Sequence, residues 1–466
     1  MKYLKKFKLL IILFTSTLFT CNNTENSKNS QLEYVQEIDA FIRQTHDEGL
    51  FNGNILVAKK DSIIYQESFG YTNASEKTKL SSASIFNIGS IAKEFNAVSI
   101  MILVEQGKLS LDDNISKFDL GFPEWSKKVT IRHLLNYVGG FSMPLEDVSS
   151  DKIALNNLKN LDKLLFEPGT DFNYNNYSIF IQQRIIEHVT GITYKTFVIQ
   201  NIVKPLGMTS AVFDPRPKHP NRTSCYGLDK SECPEMVYIS GWLWLNIDDL
   251  NKWIVAMNNN KIISQKSFET LLQNPFAKNK TSSIGEYFES IQLQRHNGTG
   301  GYKYKSVFLN DFKNDIIIVM LSNRKSNVVR TSARLHNLML GKPYKSIAQA
   351  IKEKCIEDIE LGIKAYYDLK NSSQSKKYPF DNPRELNRLA YELLRLEKIQ
   401  EAIKIFQLEI TEFPNEANGY DSLGEAYLLN KNYDLALKNY NKAIELGGTD
   451  GNAKKMVVKI NKIITK

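Results

Sequence analysis

Ser90 and Lys93 stand three residues apart in the stretch Phe86-Asn87-Ile88-Gly89-Ser90-Ile91-Ala92-Lys93-Glu94-Phe95, just ahead of the apolar run Ala97-Val98-Ser99-Ile100-Met101-Ile102-Leu103. On a helix, positions i and i+3 share a face, so the lysine amine can reach back to the serine hydroxyl. A serine in the first turn also lies in the positive field of the helix N-terminus. These conditions suit a serine nucleophile served by an amine in place of an imidazole, working through a covalent acyl-enzyme. The spacing alone is not specific, because Ser149/Lys152, Ser322/Lys325 and Ser373/Lys376 repeat it. A Ser-His-Asp arrangement is disfavoured, since Ser90 does not sit in a G-x-S-x-G elbow. Partners elsewhere in the chain must single Ser90 out.

Two further motifs follow it in order, Tyr174-Asn175-Asn176 and His296-Asn297-Gly298. With them the chain resembles the serine beta-lactamase-like superfamily, most closely the branch of class C beta-lactamases, D-alanyl-D-alanine carboxypeptidases, D-aminopeptidases and related esterases. The likeness spans residues 32–342 and takes in Pro168-Gly169-Thr170, Val189-Thr190-Gly191 and the Gly300-Gly301-Tyr302 turn. It also sets aside Ser149, Ser322 and Ser373 as nucleophiles, and Tyr71-Thr72-Asn73 as the tyrosine motif.

The resemblance implies roles. Ser90 would be the nucleophile. Lys93 would shuttle a proton and favour the phenolate by its charge. Tyr174 would be the general base, first for Ser90 and later for the deacylating water. Asn176 would hydrogen-bond Lys93 or the substrate amide. His296, where many relatives carry lysine, would meet a substrate carboxylate or the tyrosine hydroxyl. The backbone N–H groups of Ser90 and Thr299 would form the oxyanion hole. Gly298 would let substrate backbone lie close to its strand. Two departures bear on substrate: Asn297 replaces a threonine or serine, and Val138-Gly139 stand in a loop where the family often has hydroxyls. Both remove groups that could bind a beta-lactam carboxylate, so a peptide, amide or ester substrate is expected. The rival reading is a lipoprotein scaffold with an inactive hydrolase domain.

The elements that must position these residues are partly readable. Helical periodicity runs over residues 32–46. Two apolar runs around Lys59-Lys60-Asp61-Ser62 predict a hairpin, extended by Glu67-Ser68-Phe69. Thr130-Ile131-Arg132-His133 reads as a capped helix with a structural histidine, and Asp248-Asp249 as an acidic cap of another. Residues 306–310 and 316–323 read as late strands, with a closing helix at 326–340. Strands at both ends and helices between predict an α+β fold, one antiparallel sheet assembled from both ends of the domain.

From about residue 384 the pattern changes. Tyr420, Leu423, Gly424, Tyr427, Ala436, Tyr440 and Ala443, shifted 34 residues upstream, fall on Leu386, Leu389, Ala390, Leu393, Ala402, Phe406 and Glu409. That period and its big-small-big alternation predict an all-α tetratricopeptide module over 384–466, joined by a helical connector at 343–383. Such a module packs against or contacts protein and shows no chemistry of its own.

The first 20 residues read as an export signal: lysines, then Leu9-Leu10-Ile11-Ile12-Leu13-Phe14. Leu18-Phe19-Thr20-Cys21 resembles a lipobox with Cys21 lipidated, and residues 21–31 would be a tether to the membrane. An ordinary export signal is the alternative. The formal charge of +9 owes four lysines to the first ten residues, and the remainder is too small and too spread for nucleic-acid binding. Cys225 and Cys233 could pair in an oxidising compartment, or stay as free thiols. The six histidines are scattered without zinc-like spacing, so neither metal nor cofactor is expected.

Overall fold

Ile316-Ile317-Ile318-Val319-Met320-Leu321 is buried at every position, which a strand achieves only inside a sheet covered on both faces. In a computed structural model this run lies third in a seven-stranded antiparallel sheet. The structure describes residues 34–60, 62–142, 150–215, 219–234, 242–276, 281–301, 303–447 and 451–465. The export signal, Cys21 and its tether lie outside the described residues, as do Ser149 and Tyr302. The described chain divides at His336/Asn337 into two compact units.

The sheet of the first unit is built from β1 (Gly53–Lys59), β2 (Ser62–Phe69), β6 (Thr281–Ser282), β7 (Gly285–Phe288), β8 (Leu293–Gly300), β9 (Tyr304–Asp311) and β10 (Ile316–Ser322). Its order is β2-β1-β10-β9-β8-β7-β6, so the early hairpin pairs with the last strand as expected. Glu67-Ser68-Phe69 lengthens β2. A small second sheet joins β3 (Phe86–Asn87), β4 (Val212–Phe213) and β5 (Leu243–Leu245).

The helices are α1 (34–47), α2 (Lys93–Glu105), α3 (Ile131–Leu135), α4 (Asp151–Lys159), α5 (Tyr177–Thr190), α6 (Tyr194–Val198), α7 (Ile247–Asn258), α8 (Gln265–Leu272) and α9 (Val328–Met339). Helix α2 is buried on all sides from Lys93 to Leu103, the mark of a helix inside a core. His133 is structural, closing a capping box: Thr130 N–H donates to its Nδ1 and its own N–H donates to Thr130 Oγ1. Asp248 and Asp249 lie in the first turn of α7, but the cap is Asn246, whose side chain accepts from Asp249 N–H. Cys225 and Cys233 are joined as a disulfide, with Cα atoms 5.5 Å apart.

The second unit is a helical C-terminal region consistent with a tetratricopeptide-like array. It contains α10 (Ile347–Glu357), α11 (Ile359–Lys370), α12 (Arg384–Arg395), α13 (Ile399–Glu412), α14 (Ala417–Leu429), α15 (Tyr433–Glu445) and α16 (Asn452–Ile464). The periodic residues form its core, shared with Ile347, Ile351, Cys355 and Tyr366 of the first two helices. A Cβ on Gly424 would lie 3.0 Å from the Tyr440 ring, which is why a small residue recurs there.

Glu409 occupies the position of Ala443 in the other copy and is almost fully buried, with Asn387 Nδ2 donating to both its oxygens. Burial pushes its carboxyl up from the usual 4.5 to about 7. The native state therefore holds a proton that the unfolded chain has released, so stability falls as pH rises from about 4.5 to 7 and is level above. Glu409→Gln is expected to abolish that slope, worth about 3 kcal/mol across the window. Thermal unfolding of both proteins by circular dichroism at stepped pH checks it; parallel curves would refute the assignment.

Candidate active site

The nucleophile turn is not yet α-helix. Residues Gly89–Ala92 form a 3-10 turn that runs into α2 at Lys93. With three residues per turn, side chains at i and i+3 eclipse, which stacks Lys93 over Ser90 more closely than an α-turn would. Lys93 Nζ donates to Ser90 Oγ at 3.1 Å. On the other side Tyr174 Oη donates to the same oxygen at 2.8 Å. Lys93 is buried, its ammonium 5.1 Å from the centre of the Tyr174 ring and 5.4 Å from that of Trp242. Two aromatic faces replace part of the water that burial removes.

Tyr174 sits in the turn before α5. Asn175 makes that turn: its Nδ2 donates to Asn173 O, and its Oδ1 accepts Ser178 N–H at the helix start. Asn173 ties the turn to the preceding loop, its N–H donating to Tyr137 O and its Nδ2 to Phe141 O. Tyr137 is fully buried with φ +57°, a left-handed conformation that costs a bulky residue energy, and its ring centre lies 4.7 Å from that of Tyr174. Burial first, and then the neighbouring Tyr174, push the Tyr137 phenol well above its ordinary range, so it stays protonated. Asn176 stands half-buried at the N-cap of α5, and among the described residues its side chain makes no hydrogen bond to Lys93.

The third motif lies on β8, packed edge-on against the nucleophile turn. A Cβ on Gly298 would fall 2.2 Å from Ile88 O and 2.8 Å from Ser90 N. One on Gly89, whose φ is +54°, would fall 2.6 Å from Thr299 N. The Ser90 and Thr299 amides thus flank a seam that only glycine permits. Ser306 of β9 bonds across the seam, its Oγ donating to Ile88 O at 2.7 Å.

His296 shares the face of β8 that meets the nucleophile turn but is buried, its Nδ1 held 2.7 Å from Glu94 Oε1. Glu94 Oε2 accepts from Trp253 Nε1 at 2.7 Å. Sequence reasoning missed Glu94, Trp242, Tyr137 and Ser306. For Glu94 there was a signal, an acid next to the lysine in an otherwise apolar buried helix; the others carried none.

A serine hydroxyl held between an amine and a phenol, beside an antiparallel sheet, fits the serine hydrolase class of the beta-lactamase and transpeptidase fold. The chain belongs to the beta-lactamase family, whose model matches residues 38–340. It is similar to a penicillin-binding protein of Bacillus subtilis (strain 168), 26% identical over 68% of this chain and 78% of that one. Protein flp of Staphylococcus aureus (strain MRSA252) is 25% identical over 68% and 69%. Among solved structures, the octameric penicillin-binding protein homologue from Pyrococcus abyssi shares the fold with TM-score 0.59 at 24% identity, over 69% of this chain and 81% of that one.

Gly298→Ala is expected to push β8 away from the nucleophile turn and lower the rate of Ser90 acylation at least about 100-fold, since a shift near 1 Å has that effect. Rates of labelling by an acylating probe, with circular dichroism to verify folding, measure it; an unchanged rate would mean that the seam does not set the geometry.

Proposed function

We propose that this chain is an exported serine hydrolase that cleaves an amide, peptide or ester through an acyl-enzyme on Ser90. The observation that carries the reading is the pair of contacts on Ser90 Oγ, 2.8 Å from Tyr174 Oη and 3.1 Å from Lys93 Nζ. Tyr174, with its phenol proton released to water, accepts the Ser90 proton as the oxygen attacks the acyl carbon. The ammonium of Lys93 offsets charge on the phenolate, and the Ser90 and Thr299 amides receive the oxyanion. The proton then goes to the leaving group, and Tyr174 activates the water that releases the acyl chain. Asn176, at the N-cap of α5, would hydrogen-bond the substrate amide. Asn297, Val138 and Gly139 supply no hydroxyl for a beta-lactam carboxylate, which favours peptide, amide or ester substrates.

Export and a lipid anchor at Cys21 belong to the same proposal and rest on the N-terminal sequence. The helical array would be the contact module for a protein partner. The rival scaffold reading is disfavoured because Ser90, Lys93 and Tyr174 all stand in working contact.

A fluorophosphonate probe is expected to label the wild-type protein and not Ser90→Ala, and to label Tyr174→Phe about 100-fold more slowly or worse. Equal labelling of wild type and Ser90→Ala would sink the proposal. In a panel of nitrocefin, D-amino-acid amides and short-chain esters, turnover of amides or esters is expected to exceed that of nitrocefin.

A further inference from the structure

Among the described residues, every other non-glycine residue with a positive φ is polar or charged, and none of them is buried. Tyr137, at φ +57°, is aromatic and fully buried. A bulky side chain adopts left-handed backbone only at a cost, which glycine would escape and asparagine would lessen. Such an outlier persists where surrounding contacts hold it, and those contacts point to its use.

Three of the contacts converge on one short segment. The Tyr137 carbonyl accepts Asn173 N–H at 2.9 Å. Its ring centre lies 6.2 Å from that of Phe172, the planes at 83°, and 4.7 Å from that of Tyr174, the planes at 47°. One residue thus grips three consecutive ones, the middle by its backbone and the outer two by its ring. The loop around it is fastened as well. Phe141 O accepts from Asn173 Nδ2 at 2.7 Å, Val138 O from Gly169 N–H at 2.8 Å, and Gly140 O from Leu165 N–H at 2.8 Å. Beyond the clamp, Tyr174 Oη reaches Ser90 Oγ at 2.8 Å. Tyr137 itself is buried and stays protonated, so it offers the reaction no base of its own.

We propose that Tyr137 is a positioning residue for Tyr174, its carbonyl and ring clamping residues 172–174 so that the Tyr174 hydroxyl stays within hydrogen-bond reach of Ser90 Oγ. The proposal rests on the hydrolase reading, in which Tyr174 is the general base. A base that drifts from the proton it must accept loses its effect steeply with distance.

The readout is the rate at which a fluorophosphonate labels Ser90 in the full-length chain, with circular dichroism to verify folding. Tyr137→Gly removes the ring and relieves the backbone, while Tyr137→Leu fills part of the space without a ring. Each is expected to slow labelling about tenfold or more. Tyr137→Phe, which keeps the ring, is expected to restore the rate to within about twofold of wild type. In a Tyr174→Phe chain there is no phenol left to place, so the Gly and Leu substitutions are expected to change the rate by less than about twofold, as for residues that act as a unit. A merely structural role would slow labelling by the same factor in both backgrounds.

That equal factor overturns the proposal, as does a wild-type rate in folded Tyr137→Gly or Tyr137→Leu. A folded Tyr137→Phe labelled about tenfold more slowly than wild type overturns it alone, whether or not the other variants fold. Labelling of Ser90→Ala, or a wild-type rate in Tyr174→Phe, overturns the hydrolase reading instead.

Discussion

Backbone meets backbone between the Ile88–Ser90 turn and strand β8, and everything chemical in this domain is arranged along that contact. It has no room for a side chain: Gly89, Gly298 and Gly300 each face atoms nearer than a Cβ tolerates. Closing it sets the Ser90 and Thr299 amides along the same seam. Holding it closed takes the Ser306 bond to Ile88 O and the Asn87 side chain, whose Oδ1 accepts Gly89 N–H. The topology serves the same end. The nucleophile turn follows the early hairpin in sequence, while β8 and β9 arrive with the late strands, and the seven-stranded sheet brings the two ends of the domain together.

From this seam the site divides into unlike halves. On one side Lys93 is wedged between Tyr174 and Trp242, held by aromatic faces and a hydroxyl, with no carboxylate in contact among the described residues. On the other, one residue along the same helix, Glu94 turns inward to an imidazole and an indole. Adjacent residues of opposite charge thus face different environments, and neither neutralises the other by direct contact.

Much of this could be read from the chain and some could not, for physical reasons. Period-two and period-3.6 patterns identified the hairpin, the late strands and the helix pairs, because burial acts on side-chain periodicity directly. The Ser90 to Lys93 spacing predicted their contact, although the turn between them is 3-10 and not α. The cap of α7 was misassigned to the acids because Asn246, one residue before the helix, looks like any polar loop residue. Spacing left the Cys225 and Cys233 pair open, since chain separation does not set Cα distance. Tyr137 had no signal at all: a tyrosine in the left-handed region is held there by tertiary contacts. His296 was expected in the site, but its buried partner came from a helix far away in sequence.

Helix α2 has no solvent face along the eleven residues from Lys93 to Leu103. Its amides can exchange with water only when the surrounding core opens, which places it among the last segments to unfold. The reactive end of the molecule is therefore carried on one of its most protected parts. The turn that bears Ser90 is thereby anchored at its C-terminal end to a segment that moves only with the core.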